Sequence, residues 1–389
     1  MKTGSFNFLA MDRVHFGAPA ADALLQEVKE RGAKRVFVVT SRSLNRNTNA
    51  VADTLSKISD RVVGLFDECV EHTPRDTVVA VAQALRDSQA DLVVSMGGGT
   101  VIDTVKIALL CLAGGVHKAE ELDDWHMKVK PEGGLHVPVV GVPPCRQIAI
   151  PTTLSGAEFS DLGGGTDTRT GVKHGFTGRY LGPVAVILDP RVTIHTPDRL
   201  WLSTGIRAVD HAVEALCSIN AQPLVDATSV RALTLLKRSL ERYRVDPLDI
   251  EARLEGQLGA WLASTSIRRT DYGASHGLGH ALGADTGTPH GITSCVLLPT
   301  VMRFNAEICA SPLREIATAL GDVNTPAADL VECLIANLGL PTRLSMLGMD
   351  QARLPIIAEK GMANMWVRTN PQPIKDASQL LEILNRAWA

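Results

Sequence analysis

The sequence predicts an α/β half followed by an all-helical half, and three observations carry that prediction. In the first half, short β-branched apolar runs alternate with helical patterns, as strands and crossover helices do. One of these runs ends directly in three glycines and then a helix. Beyond Asp189-Pro190 only helical periodicity remains. The expected domains are therefore 1–190, α/β, and 191–389, all α, since 389 residues exceed what one core usually holds.

Taken in order, residues 20–31 read as a helix and 35–40 as a buried strand (Arg-Val-Phe-Val-Val-Thr). A helix over 49–58 has Thr48 placed to cap it, and 62–66 is a short strand. Thr73-Pro74 opens a helix that runs through Arg86. Residues 91–95 form a third strand, leading through Met96-Gly97-Gly98-Gly99-Thr100 into a helix over 101–112. The stretch 114–146, rich in Gly, Pro and charge, reads as an irregular surface insertion. Strands are expected at 147–150 and 185–188, with a glycine-rich segment, Gly163 to Gly165, between them. Helices should then cover 205–217, 224–243, 250–282, 292–309, 312–320, 327–338 and 377–389.

Composition removes several classes of function. A net charge of −3 offers nothing to nucleic acid or an anionic membrane. Aromatics make up only 4%, too few for a platform that stacks single-stranded bases. The longest apolar run, 107–116, is too short to span a bilayer, and no apolar leader precedes Asp12. Seven cysteines, odd in number and without paired spacing, read as reduced thiols of a cytoplasmic protein. A homo-oligomer is compatible with all of this, but nothing in the sequence specifies one.

Two stretches carry chemistry. A strand, Gly97-Gly98-Gly99, then a helix lets a phosphate approach the backbone at a helix N-terminus, where free N–H groups and the helix dipole favour an anion. It is neither G-x-G-x-x-G nor a P-loop, and by itself three glycines after a strand also fit a plain tight turn. Asp103 and Lys106, on the first turns of the helix, add a nucleotide contact or shape the cleft.

The second stretch runs Ser275-His276-Gly277-Leu278-Gly279-His280 and on to His290. His276 and His280 stand four apart and share a helix face, and the loop of Gly283, Gly287 and Pro289 returns His290 toward it. Neutral imidazole is both a divalent-metal ligand and a proton shuttle near pH 7. Two histidines at this spacing fit core packing equally well; three of the chain's eleven within fifteen residues favour a site.

These residues bring out a resemblance. Gly97-Gly98-Gly99-Thr100-Val101-Ile102-Asp103-Thr104-Val105-Lys106 is similar to the Gly-Gly-Gly-Ser-x-x-Asp-x-x-Lys motif of the iron-containing (group III) alcohol dehydrogenases. Pro151-Thr152-Thr153-Leu154-Ser155-Gly156-Ala157-Glu158 resembles that family's Pro-Thr-Thr-x-x-Gly-x-Glu segment, and His276 to Asn305 resembles its metal region. The resemblance covers nearly the whole chain in order. It implies a dehydroquinate synthase-like fold: a dinucleotide-binding domain, a helical domain, and NAD(P)-dependent hydride transfer in the cleft between them. Gly97, Gly98, Gly99 and Thr100 would then hold the pyrophosphate with Asp103 nearby, and Thr152 and Thr153 would line the adenosine and ribose side.

The family's metal set, one Asp and three His, is broken here. His211, His276 and His290 match the three histidines, but Gly205-Ile206-Arg207-Ala208-Val209-Asp210-His211 has Arg207 where the aspartate belongs. A guanidinium repels a divalent ion and donates no lone pair to it, so Fe or Zn should bind weakly or not at all. Asp210 is turned about 100° from His211 on a helix and is no obvious substitute. His72-Thr73-Pro74 resembles the maleylacetate reductase branch, which generally works without metal, whereas the spacing of His276 and His280 is closer to the alcohol dehydrogenase form.

The resulting reading is an NAD(P)-dependent oxidoreductase that interconverts a small alcohol and its aldehyde or ketone. The alternative is a metal-free, maleylacetate reductase-like reduction of an oxo-acid; a catalytically silent protein that keeps only the fold and the nucleotide site is the third reading. His280 is the expected proton relay, and without a metal ion Arg207 with His276 or His280 would stabilise the developing alkoxide. Ser41, followed by Arg42 and Ser43, stands where an NAD-selective Asp is common, so NADPH should be accepted at least as well as NADH.

Overall fold

In the computed structural model, which describes residues 3–130 and 134–389, the first unit is built on a six-stranded, all-parallel sheet. The first two residues of the N-terminal stretch and part of the 114–146 insertion lie outside the described residues. The chain forms two compact units: Asn7–His195, and Thr196–Ala389 together with the residues up to Phe6.

In the first unit the elements run β1 (Arg13–Phe16), α1 (Ala20–Glu30), β2 (Val36–Thr40), α2 (Arg42–Asn47), α3 (Ala50–Leu55) and β3 (Val62–Phe66). They continue α4 (Arg75–Asp87), β4 (Leu92–Gly97), α5 (Gly99–Gly114), β5 (Lys128–Val129), β6 (Leu135–His136) and β7 (Arg146–Pro151). The unit closes with β8 (Leu162–Asp167), β9 (Val172–Thr177) and β10 (Ala185–Leu188). The sheet order is β1-β10-β7-β4-β2-β3, and β2, β4 and β7 have their central residues buried on both faces, as parallel strands covered by helices must. One apolar cluster covers each face: Leu24, Val28, Val38, Val94 and Ile148 on one, Val78, Val81, Val93, Val105 and Ile107 on the other.

Four pieces of this unit go beyond what the sequence predicts. β1 precedes the first element expected from the sequence, and α2 starts where Ser41 accepts a hydrogen bond from the Leu44 amide, 3.4 Å. The glycines 163–165 belong to an antiparallel hairpin, β8–β9, because their missing side chains let Ile107 and Phe176 lie against the strand. Within 114–146 the described residues include a short hairpin, β5–β6.

The second unit is all helical: α6 (Asp198–Leu216), α7 (Pro223–Val245), α8 (Ile250–Ala263), α9 (Ala274–Thr286), α10 (His290–Phe304), α11 (Ala310–Ala319), α12 (Ala327–Asn337), α13 (Leu354–Met362), α14 (Met365–Arg368) and α15 (Ala377–Trp388). The single helix expected over 250–282 is two. Ser264 and Ser266 hydroxyls bond back to the Ala260 and Ala263 carbonyls at 2.6 and 2.7 Å, and Arg268 turns left-handed at φ 64°. The break brings Tyr272 and Gly273 ahead of α9, so Ser275 and His276 fall in that helix's first turn.

Candidate active site

At the end of β4 the chain passes from Gly97 into α5 with Gly98 as an extended N-cap that offers no side chain to the helix's first N–H groups. The segment after β7 is pinned beside this turn by the Thr152 amide, which donates to the Gly97 carbonyl at 3.0 Å. A Cβ added to Gly98 would come within 3.0 Å of Thr153 Cγ2, and one on Gly99 within 3.1 Å of Ser155 Oγ. Gly97, Gly98, Gly99, Thr100, Thr152 and Thr153 are thus brought together around a bare helix N-terminus, a cradle that fits a phosphate.

Asp103 lies one turn beyond the cradle on α5. Its Oδ1 accepts from Lys106 Nζ at 3.1 Å and its Oδ2 from the Gly164 amide at 3.0 Å. Lys106, fully buried, also donates to the Ala157 and Leu162 carbonyls at 2.6 and 2.8 Å. The pair ties α5 to the 157–164 segment, with the buried Lys106 ammonium finding an acceptor for each of its three donors. Ser41 stands at the head of α2, and the neighbouring Arg42 Nη2 donates to Glu68 Oε1 at 2.9 Å.

In the helical unit the histidines converge. The His211 and His276 rings lie 5.0 Å apart, the His280 and His290 rings also 5.0 Å, and Tyr272 stacks on His276 at 4.0 Å. His211 comes from α6, His276 and His280 from α9, and His290 from the start of α10. Gly291 makes this packing possible: a Cβ there would sit 2.6 Å from the Ser203 carbonyl oxygen of α6.

Glu214 organises the first turn of α9. Its carboxyl group accepts from the Gly273, Ser275 and His276 amides at 3.0, 2.8 and 3.3 Å, and its Oε2 shares a 2.7 Å hydrogen bond with His276 Nδ1. Burial and then Asp210 push this carboxyl up to about 8, against the three amides that favour its charged form. On the other side of the ring, His276 Nε2 is a buried atom with no hydrogen-bond partner. Burial first, and the Arg207 charge second, hold His211 and His276 well below the usual imidazole range, so both are neutral at pH 7.

Arg207 is neither solvated nor turned out to the surface; it is buried. Its Nη1 donates to Ser294 Oγ at 3.1 Å and faces Asp210 Oδ2 at 3.4 Å. Asp210 is fully buried and accepts from Ser294 Oγ at 2.6 Å and Ser275 Oγ at 3.0 Å. Burial pushes it up to about 6, with Arg207 and the two hydroxyls opposing. The sequence reading discounted Asp210 as a metal ligand and overlooked this role; the available signal was its spacing, three residues after Arg207 on one helix face. Asp210, Glu214 and His276 offer donor atoms within 4.8 Å of one another.

A family model for iron-containing alcohol dehydrogenase matches residues 12–190, and one for the C-terminal part of the Fe-containing alcohol dehydrogenase family matches 201–388. Dehydrogenase FUM7 of Gibberella moniliformis is 31% identical over 424 residues, covering 96% of this chain and 95% of its own. Maleylacetate reductase 1 of Cupriavidus pinatubonensis is 28% identical over 386 residues, covering 99% and 96%. The crystal structure of maleylacetate reductase from Agrobacterium tumefaciens superposes with a TM-score of 0.83 at 28% identity, over 100% of this chain and 99% of the other.

Proposed function

The chain belongs to the iron-containing alcohol dehydrogenase family, an oxidoreductase family, and from that premise we propose a nicotinamide-dependent reductase of small carbonyl compounds that works without a tightly held metal. The observation that carries this reading is Arg207, a buried guanidinium standing where the family has a carboxylate ligand and acting electrostatically on His211 and His276. The donor set His211, His276 and His290 therefore faces a fixed positive charge. Two unit charges about 4 Å apart interact by roughly 4 kcal/mol at an effective dielectric near 20, a gross term that doubles for a divalent ion. Asp210 offsets part of it but is already held by Arg207, Ser275 and Ser294. These residues do not fit Fe or Zn well.

The cradle at Gly98 and Gly99 fits a nucleotide phosphate, and NAD(P)H, when bound, would supply the hydride and leave as NAD(P)+. Arg207, fixed at Nη1, directs its remaining N–H donors to the substrate oxygen and stabilises the negative charge that develops there. His280, partly exposed beside His290, passes the proton; His276, held by Glu214, accepts a hydrogen bond from the alcohol at Nε2.

The same guanidinium favours a second reading, reduction of an oxo-acid whose carboxylate pairs with Arg207. The maleylacetate reductases among the relatives support it. Oxidation of NADPH and NADH with matched aldehydes and oxo-acids separates the two readings, and no turnover with either class removes both. For the metal, we expect well under one Fe or Zn per chain in the purified protein and activity that survives chelation. Arg207→Asp should raise metal content toward one. One tightly held ion per wild-type chain, with activity lost on its removal, would overturn the metal-free reading.

A further inference from the structure

Aromatic residues are only 4% of the chain, yet two of them close on the imidazole cluster. Tyr272 is buried among the rings; Trp366 is partly exposed. The Trp366 indole stands edge-on to His280 at 4.6 Å, to His276 at 5.6 Å and to Tyr272 at 5.8 Å. His211, His276 and Tyr272 are buried, while His280, His290 and Trp366 keep exposed surface, so these three rings form the rim of the cluster and the others its floor.

The position of Trp366 is fixed by its neighbours on both sides. Asn364 Oδ1 accepts from the Trp366 amide at 3.0 Å and starts α14. Val367 lies so close to α9 that a Cβ on Gly277 would come within 2.6 Å of its Cγ2. Thr369 Oγ1 donates to the Tyr272 carbonyl at 2.7 Å, and Asn370 Oδ1 accepts from the Ala274 amide at 3.0 Å. Residues 364–370 are thereby stapled across the start of α9, and the indole is held where it is.

We propose that Trp366 is the specificity-determining residue of this site: its indole bounds the space open to the non-reacting chain of the substrate and so limits chain length. The inference rests on the reading of the imidazole cluster as the carbonyl site. A substrate whose reacting carbon lies by His276 and His280 carries its remaining carbons past the Trp366 indole on the rim. A fixed indole there admits a short chain and collides with a long one, because a packed wall gives little.

The test compares wild type, W366A and W366F on unbranched aldehydes from ethanal to octanal. W366A should raise the octanal-to-butanal ratio of kcat/KM by roughly tenfold or more, through KM, with W366F between. A residue that only supports the fold would lower all lengths in parallel; that result, or a ratio changed less than about twofold in both variants, overturns the proposal. Calorimetric binding of butan-1-ol and octan-1-ol, with oxidised nucleotide present, asks the same question without turnover. If the wild type reduces no carbonyl yet W366A alone gains affinity for octan-1-ol, the reaction assigned above fails and this inference stands. If neither variant changes the preference between the two alcohols, the inference fails whatever the reaction.

Discussion

Arg42 bears on the choice of nucleotide. It pairs with Glu68 across the surface, each side chain about 60% exposed (60% and 59%), and such pairs contribute only ~0–1 kcal/mol. A 2′-phosphate can therefore take the place of Glu68 at little cost, and the Ser41 hydroxyl adds no repulsion. NADPH should bind at least as tightly as NADH by fluorescence titration, and Arg42→Ala should weaken NADPH about tenfold, ~1.4 kcal/mol, while leaving NADH nearly unchanged. A strong preference for NADH sinks this argument. Gly99 is the other sensitive residue. Even an alanine Cβ there would press on Ser155 Oγ at 3.1 Å, and an aspartate would add negative charge to the phosphate cradle. Gly99→Asp should abolish binding of both nucleotides with the fold intact by circular dichroism; unchanged affinity would place the phosphate elsewhere.

At the scale of elements, the site depends on how closely α10 passes α6. A Cβ on Gly291 would meet the Ser203 carbonyl carbon and oxygen at 2.7 and 2.6 Å, backbone atoms that cannot swing aside. Gly291→Ala should cost roughly 1–3 kcal/mol, read as a lower denaturant midpoint at unchanged slope. A midpoint equal to wild type would mean the two helices separate freely. These elements were unequally legible in the sequence. Strands such as 36–40 and 185–188 were readable because a buried parallel strand is a short β-branched run with polar ends. The glycine turn and the histidine spacing were readable because a phosphate and a shared helix face each demand a local pattern. Glu214 capping α9, Ser294 bridging Arg207 to Asp210, and Trp366 on the rim were not, since each partner is more than fifty residues away and no periodicity records it. The break at 264–273 was hidden because serine hydroxyls that return to the backbone leave the apolar pattern almost intact.

For the whole molecule, the distribution of its seven thiols tests burial in both units at once. None is in a disulfide; Cys333 alone is exposed, Cys69 is half-buried, and the other five are buried. Burial pushes the Cys69, Cys111 and Cys145 thiols up to about 12, and the Cys217 and Cys295 thiols also lie above their usual range. Cys309 is drawn the other way by the neighbouring Cys217 thiol, but its own side chain is 2% exposed and out of a reagent's reach. Since the thiolate is the reacting form, burial slows labelling twice, by excluding the reagent and by keeping the thiol protonated. Ellman's reagent at pH 8 should therefore titrate one thiol per native chain within minutes, that of Cys333, and all seven after denaturation. Cys333→Ser should remove the fast phase entirely. Several thiols reacting at once in the native protein would show that at least one of the two cores opens far more readily than its packing allows.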